Sequence, residues 1–199
     1  MPKQVDHGER QKLIARALWR VVDQHGWAKA TMREVAREAG VSLGQVQHYF
    51  SSRTAMLIFA MDHASAQTSS RIQARLETAG SARHPREVLR VVLTEMLPLH
   101  PDSRVTSRMS AAYVLEALHD EKLRDQARTG LRDGRAMVEH LIREAIAEGH
   151  IDGGRDPIVE TDLLLALSGF TPLLELGVID TDAALRSIDT HLDRLFATS

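Results

Sequence analysis

The chain has 199 residues, of which 43% are hydrophobic and 26% are charged, and its formal net charge is −2. This length and composition predict a globular fold with one sizeable core and a small additional module, and the lack of cysteine excludes a disulfide scaffold and thiolate metal sites. No apolar run approaches the roughly 18 residues of a membrane span and the N-terminus has no apolar signal region, so we expect a cytoplasmic protein.

The charges are distributed unevenly along the chain. Residues 1–62 carry nine Lys or Arg against six Asp or Glu, a net charge of +3, whereas residues 63–199 carry 16 against 21, a net charge of −5. This asymmetry favours contact with nucleic acid by the N-terminal part.

The chain is predicted to begin with a frayed arm over residues 1–8, followed by a first helix over about 9–25. Apolar residues with a period near 3.6 indicate this helix, namely Leu13, Ile14, Ala17, Leu18, Val21 and Val22. Gly26 ends it, because glycine adopts the positive φ of a helix C-terminus without steric cost. Trp19 lies off the stripe, and the pattern leaves two alternatives open: a contact with the larger domain, or an ordinary exposed aromatic residue.

Two short helices joined by a tight turn are predicted over residues 31–50. Thr31 followed by Glu34, and Ser42 followed by Gln45, each have the spacing of a capping box. Gly40 lies between the two helices, where a positive φ is needed. The pattern therefore predicts a helix-turn-helix.

The second of these helices has an uncharged polar surface, although a solvated helix face usually carries Lys, Glu and Arg. Val46 and Phe50, with part of Tyr49, account for its buried side. Gln pairs with adenine in the major groove, and glycine lets the backbone approach DNA closely. The alternative interpretation is a small core helix with an uncharged surface; the two capping boxes and the glycine turn favour DNA recognition.

Residues 10 to 58 resemble the N-terminal DNA-binding domain of the TetR family of transcriptional regulators. The residues that carry this resemblance are Gly26, Thr31, Val35-Ala36, Ala39-Gly40-Val41-Ser42, Gly44, His48-Tyr49-Phe50 and Leu57. The chain departs from the family at Gln47, where an aromatic residue is frequent, and at Arg53, where Lys is usual. Arginine keeps the positive charge, but its planar fork differs from an ammonium group.

Helix position and the resemblance together imply two kinds of DNA contact. Thr31, Tyr49 and Arg53 are expected at phosphates, which fix the register of a complex without specifying sequence. Gln45, Gln47 and His48, with the Gly44 backbone, are expected at base edges in the major groove. The full set of predicted DNA-contact residues is Thr31, Arg33, Ser42, Leu43, Gly44, Gln45, Gln47, His48, Tyr49 and Arg53.

Six further helices and no strand are predicted beyond residue 52, with a loop at Gly80–Pro85. The apolar stripes place these helices at about 53–78, 85–97, 102–118, 121–148, 157–176 and 182–197. The fold is therefore predicted to be all-α with about nine helices. We expect a helix-turn-helix domain over residues 1–52 and a larger ligand-binding and dimerisation domain over residues 53–199.

The helix predicted at 157–176 is apolar nearly all round and must therefore be buried on every side. Near the end of a small protein, a subunit interface meets this requirement most simply. We expect the last two helices, including Leu167 and Leu192, to pair with their copies across a two-fold axis as a homodimer.

An effector pocket is predicted among the helices between Met61 and Phe170. Its candidate residues are Met96, Met109, Tyr113, Glu116, Met137 and Phe170, although Met and aromatic residues at helical spacing are more often plain core. The stretch LLALSGF and the last helix resemble the betaine-responsive branch of the family. A quaternary ammonium needs an aromatic cage, and only Tyr113, Phe170 and Phe196 follow residue 62, so that ligand is not assigned.

The resemblance implies a homodimeric repressor that a small-molecule effector releases from a pseudo-palindromic operator. The alternative is a dimeric DNA-binding regulator without a ligand, controlled by a protein partner or by its expression level. Glu116 with His119 and His140 with Glu144 have helical spacings that solvated neighbours often show. With no catalytic or phosphate-loop motif in the sequence, an enzyme or a metal sensor is disfavoured, and no cofactor or metal is expected.

Overall fold

The computed structural model describes residues 2–78 and 84–197, so most of the loop predicted at Gly80–Pro85 lies outside the described residues. Within these ranges there are nine helices and no strand, as the all-α prediction expects. The helices are α1 (Pro2–His25), α2 (Met32–Ala39), α3 (Leu43–Tyr49), α4 (Arg53–Thr78), α5 (Pro85–Glu95), α6 (Pro101–Ala117), α7 (Glu121–Ala147), α8 (Pro157–Ala166 and Phe170–Glu175, joined by the 3-10 turn Leu167–Gly169) and α9 (Thr181–Leu195).

The chain forms two compact units. Unit 1 consists of Met1–Gln67 with Arg108–Ala127, and unit 2 consists of Thr68–Ser107 with Arg128–Ser199. The helices α4, α6 and α7 each contribute residues to both units. The functional division at residue 52 follows from the motif and stays a prediction.

Unit 1 is built on the packing of α1 against α2 and α3. The apolar stripe of α1 is buried apart from the half-buried Leu13, and so are Val35, Val46 and Leu57 from the next three helices. Trp19, for which the sequence left two alternatives open, is buried, and its indole Nε1 donates a hydrogen bond of 3.2 Å to the Ala60 carbonyl oxygen. This bond satisfies a polar group that burial would otherwise leave without a partner.

The helix-turn-helix forms as predicted, with one difference at its first cap. Ser42 and Gln45 make a complete capping box, and Gly40 has a φ of 67°. Thr31 accepts a hydrogen bond from the Glu34 amide, but the Glu34 carboxylate pairs with Arg37 instead of reaching back. The predicted first capping box is therefore only half formed, because a charged partner one turn away competes for the carboxylate.

Two predicted helix starts are wrong. The first helix starts at Pro2, so residues 2–8 belong to it instead of forming an arm. Proline suits the first helical position, since it has no amide hydrogen to leave unpaired. The same preference places Pro101 at the start of α6, where Asp102 or Ser103 was the predicted cap; the Ser103 hydroxyl accepts a hydrogen bond from the His100 amide.

The core of unit 2 is formed by apolar residues of α5, α7, α8 and α9. They include Leu89, Val92, Ile142, Leu164, Ile188 and Leu192. Leu192, predicted at the dimer interface, is fully buried within the single chain. The apolar stripe of α9 faces its own core, so the prediction for this residue is wrong.

The helix predicted at 157–176 is interrupted near its middle. Gly169 disfavours a helix, and Pro172 has no amide hydrogen to donate to the preceding turn. The Ser168 hydroxyl also donates a hydrogen bond of 2.6 Å to the Leu165 carbonyl oxygen. The result is the 3-10 turn between the two parts of α8.

The stretch Pro157–Glu175 is nevertheless long and apolar enough to span a membrane by length and composition alone, which corrects the expectation that no apolar run approaches this size. Of the part of the chain that the structure describes, it is the one helix that meets this test. An apolar helix at a protein interface shares this length and composition with a membrane helix.

Candidate nucleic-acid interface

The exposed face of α3 is polar and uncharged. Val46 and Phe50 hold this short helix against the core of unit 1. Gly44, Gln45, Gln47 and His48 are exposed, whereas Leu43 and Tyr49 are half-buried. Two amides and an imidazole thus stand together where donors and acceptors could meet base edges.

Gln45 has a structural function in this conformation. Its Oε1 atom accepts a hydrogen bond of 3.1 Å from the Ser42 amide, which completes the capping box. Bidentate pairing with adenine uses both the oxygen and the nitrogen of a glutamine amide. Since the Gln45 oxygen already has a partner, Gln47 is the better candidate for such a pair.

The end of α3 carries an aromatic contact that the sequence did not predict. The Tyr49 ring meets the His7 ring edge-on at a centroid distance of 4.7 Å and the His48 ring at 5.3 Å. His7 belongs to the segment that was predicted to be an arm. The His7 imidazole reaches α3 only because α1 starts early.

The arginines near the helix-turn-helix differ in their partners. Arg37 pairs with Glu34, and Arg20 pairs with Glu38 at 2.5 Å. Arg33 lies exposed in the first turn of α2, and the described residues give it no ion pair. Of these three arginines, Arg33 is therefore the one best able to meet a phosphate without first losing a carboxylate partner.

Arg53, which was predicted to contact a phosphate, is held within the chain. Its Nε donates a hydrogen bond of 2.8 Å to the Ala30 carbonyl oxygen, and a second nitrogen lies 3.5 Å from the Trp27 carbonyl oxygen. The guanidinium carbon lies 5.9 Å from the centre of the Trp27 ring, and the Glu116 carboxylate is 3.5 Å away. Thr31 comes directly after Ala30 in the chain. The contacts of Arg53 therefore hold in place the segment that leads into α2.

The structure places one predicted DNA-contact residue beside two predicted ligand residues. Tyr113 and Glu116 lie one turn apart on α6, and the Tyr113 ring contacts the Trp27 ring edge-on at 6.2 Å. Burial raises the pKa of Tyr113 to about 12. No local pattern predicted this cluster, because Trp27, Arg53 and the pair on α6 lie more than 20 residues from one another along the chain.

The six predicted ligand residues do not share one environment. Met109, Tyr113 and Glu116 belong to unit 1. Met96 and Phe170 pack at the core of unit 2, whereas Met137 is exposed. The described residues contain no group of three His, Asp or Glu side chains that could hold a metal ion, and His140 with Glu144 is an exposed pair at 3.3 Å.

Comparison with known proteins identifies matches over both parts of the chain. Residues 14–58 match the family model of bacterial regulatory proteins, tetR family, and residues 85–197 match that of the BetI-type transcriptional repressor, C-terminal. The HTH-type transcriptional regulator PksA of Bacillus subtilis is 33% identical over 98% of this chain and 94% of its own length. It is similar to this chain from end to end.

Two solved structures show the same fold. A TetR-family transcriptional regulator from Rhodococcus sp. superposes with a TM-score of 0.80 at 23% identity, covering 96% of this chain and all of the other. A transcriptional regulator from Saccharomonospora viridis, solved in complex with choline, gives a TM-score of 0.78 at 20% identity, covering 94% and 95%. At these identities the likeness is one of fold.

Proposed function

The chain belongs to the TetR family of transcriptional regulators, which are DNA-binding proteins and not enzymes, and we propose that it is a homodimeric repressor that a small molecule releases from a pseudo-palindromic operator. The observation that carries this proposal is the exposed uncharged face of α3, on a helix fixed by a complete capping box. In this proposal the protein acts in the cytoplasm, where it can reach DNA.

DNA recognition is proposed to divide between two sets of residues. Gln47 and His48, with the Gly44 backbone, contact base edges in the major groove. Thr31, Arg33, Tyr49 and Arg53 contact phosphates and fix the register. Ser42, Leu43 and Gln45 form the start of α3, and in this proposal they mainly position the helix against the groove.

Dimerisation is proposed to occur through α8, with α9 beside it. The exposed side chains of α8 include Ile158, Val159 and Leu163, which are 45–51% exposed, while Glu160 and Thr161 are buried. Leu164 of the same helix lies in the core, but the exposed apolar side chains depart from the usual amphipathic pattern, and in this proposal a second apolar surface covers them. An identical α8 supplies that surface in a two-fold dimer.

The effector is proposed to bind inside unit 2, whose interior contains polar side chains that could anchor a small molecule. The Ser107 and Thr171 hydroxyls lie 3.2 Å apart and are buried. Nearby in the chain, the buried Glu95 carboxylate is held by Arg71 at 2.8 Å and Arg75 at 2.7 Å. Met96 and Phe170 would supply apolar contacts, and the choline complex of a structural neighbour motivates including small cations among the ligands tested.

Two experiments test the function. Selection of bound duplexes from random DNA should enrich a pseudo-palindromic sequence; enrichment of no sequence would contradict the operator proposal. A thermal-shift screen of small metabolites should then find a compound that raises the melting temperature and weakens operator binding. A regulator without a ligand would pass the first experiment and fail the second.

A further inference from the structure

Arg53 and Glu116 form an ion pair between the start of α4 and the end of α6, both within unit 1. Their closest charged atoms are 3.5 Å apart, and the two side chains are 36% and 34% exposed. The pair is therefore accessible to solvent and to a competing anion. An ion pair of this kind contributes little to folding and can be exchanged at small cost.

The guanidinium is held by three kinds of contact. The carbonyl oxygens of Ala30 and Trp27 accept hydrogen bonds from it, the Trp27 ring lies beneath it, and Glu116 supplies the one opposite charge that the described residues give it. The carbonyl and ring contacts fix the arginine in place. Only the carboxylate competes directly with an anionic ligand for its charge.

Glu116 is itself positioned by its helix. Tyr113, one turn earlier on α6, contacts the Trp27 ring, and its hydroxyl lies 3.4 Å from the Leu123 carbonyl oxygen. These contacts anchor the last turn of α6 beside the segment that leads into Thr31. A shift or rotation of α6 would change the separation between Glu116 and Arg53.

We propose that Glu116 is a built-in competitor of the DNA backbone, which occupies Arg53 when the protein is off DNA and must release it to an operator phosphate. This inference rests on the proposed function, because it takes Arg53 to be a phosphate contact of the bound state. It makes α6 a regulatory element. A position of α6 that strengthens the pair weakens DNA binding, and one that opens the pair strengthens it.

The test uses the full-length protein with Glu116→Gln, which keeps the size and one hydrogen-bond acceptor but removes the charge. We expect operator affinity to rise by about two- to fivefold for each half-site, since an exposed pair of this kind must no longer be broken. Scrambled DNA should gain similarly, because phosphates carry no sequence information. The melting temperature should stay the same or fall slightly.

A matched control removes the same charge without touching the pair. Glu121 is exposed at the start of α7 in the same unit, and Glu121→Gln should change DNA affinity less than Glu116→Gln does. In an Arg53→Gln background the gain from Glu116→Gln should vanish, because the competitor then has nothing to compete for.

Results that contradict the proposal can be told apart from those that it predicts. A purely structural Glu116 would give lower DNA affinity together with a lower melting temperature, and a gain that persists in the Arg53→Gln background would be a general charge effect; either result overturns the proposal. Failure of the wild-type protein to select any DNA would instead overturn the proposed function. Fluorine NMR of 5-fluorotryptophan-labelled protein adds a local check, since Glu116→Gln should shift the Trp27 resonance and leave that of Trp19 unchanged.

Discussion

The helices α3 and α8 both depart from the usual pattern of a surface helix, but in opposite directions. The exposed face of α3 carries amides, an imidazole and a glycine, where a solvated helix normally carries charges. The exposed face of α8 carries Ile158, Val159 and Leu163, while Glu160 and Thr161 are turned inward. Each of these exposed faces is therefore better suited to contact with another molecule than to contact with water.

The difference between the two helices indicates what covers each of them. Base edges offer hydrogen-bond donors and acceptors without net charge, so the α3 face matches a DNA groove. An apolar face matches only another apolar surface, which a second copy of the chain supplies in the proposed dimer. The buried polar side of α8 is also satisfied, because Glu160 pairs with Arg155 at 3.0 Å and Thr161 donates to the Pro157 carbonyl oxygen. The exposed faces of α3 and α8 therefore both have the side chains expected of a binding interface.

The largest expected effect comes from charging the α8 face. Leu163→Glu occurs twice in a two-fold dimer and places two unpaired carboxylates in an apolar contact. We expect the dissociation constant of the dimer to rise by at least about 100-fold, measured by sedimentation. Leu115→Glu, at a leucine of α6 that is even more exposed (65% against 49% for Leu163), should leave the dimer intact. A wild-type protein that sediments as a monomer at micromolar concentration would refute this interface.

The next effect concerns the polar face of α3. Gln47→Ala should weaken operator binding by about 1–3 kcal/mol for each lost bidentate pair and relax base preference at one position in each half-site. Gln45→Ala is less informative, because it also removes half of the capping box. Gln24→Ala, at an exposed position of α1, is the control, and binding isotherms on operator and scrambled DNA provide the measurement. Equal losses on both DNAs would exclude base recognition by Gln47.

A smaller effect separates phosphate contacts from base contacts. Arg33→Gln and Arg53→Ala should each lower the slope of log affinity against log salt by about 2 per dimer, at roughly 0.9 per lost contact. Gln47→Ala should leave the slope unchanged, and so should Arg186→Gln in α9. An unchanged slope for Arg53→Ala would mean that this residue only positions the Trp27–Ala30 segment.

The smallest expected effect concerns a buried polar group without a hydrogen-bond partner among the described residues. In this it differs from the buried Glu160, which has a partner. The His63 ring stacks on Trp19 at 5.1 Å, and its Nε2 atom is buried with no hydrogen-bond partner among the described residues. Burial, with Arg16 and Lys12 nearby, lowers the pKa of His63, whereas Glu9 acts in the opposite direction. The folded state therefore favours the neutral imidazole.

The sign of the pH effect follows from this direction. As pH falls below the usual histidine pKa of about 6.5, the unfolded chain takes up a proton before the folded chain does, so stability decreases. His63→Phe keeps an aromatic ring on Trp19 and removes the titration. The melting temperature of the variant relative to wild type should be higher at pH 5 than at pH 8; a difference that does not vary with pH would contradict the argument.

Local signals in the sequence were enough to predict most of the fold. Caps at Ser42 and Gly40, together with the apolar periods, predicted the helix-turn-helix and nearly all helix bounds. Contacts between distant residues were not predictable, because no local pattern encodes them. Arg53 could be identified as a cation from its position, but its pairing with Glu116 depends on how α4 and α6 pack. For the same reason, Leu192 looked like interface from periodicity and is core in the structure.

In the proposed function, α3 recognises DNA, and α8 pairs two copies of the chain so that each dimer carries two α3 helices. Selection of bound duplexes from random DNA tests both parts when the wild-type protein and Leu163→Glu are compared. We predict that the wild type enriches two inverted half-sites at a fixed spacing, and that the variant enriches a single half-site of the same sequence. Two inverted half-sites with both proteins, or no enriched sequence with either, would contradict the account.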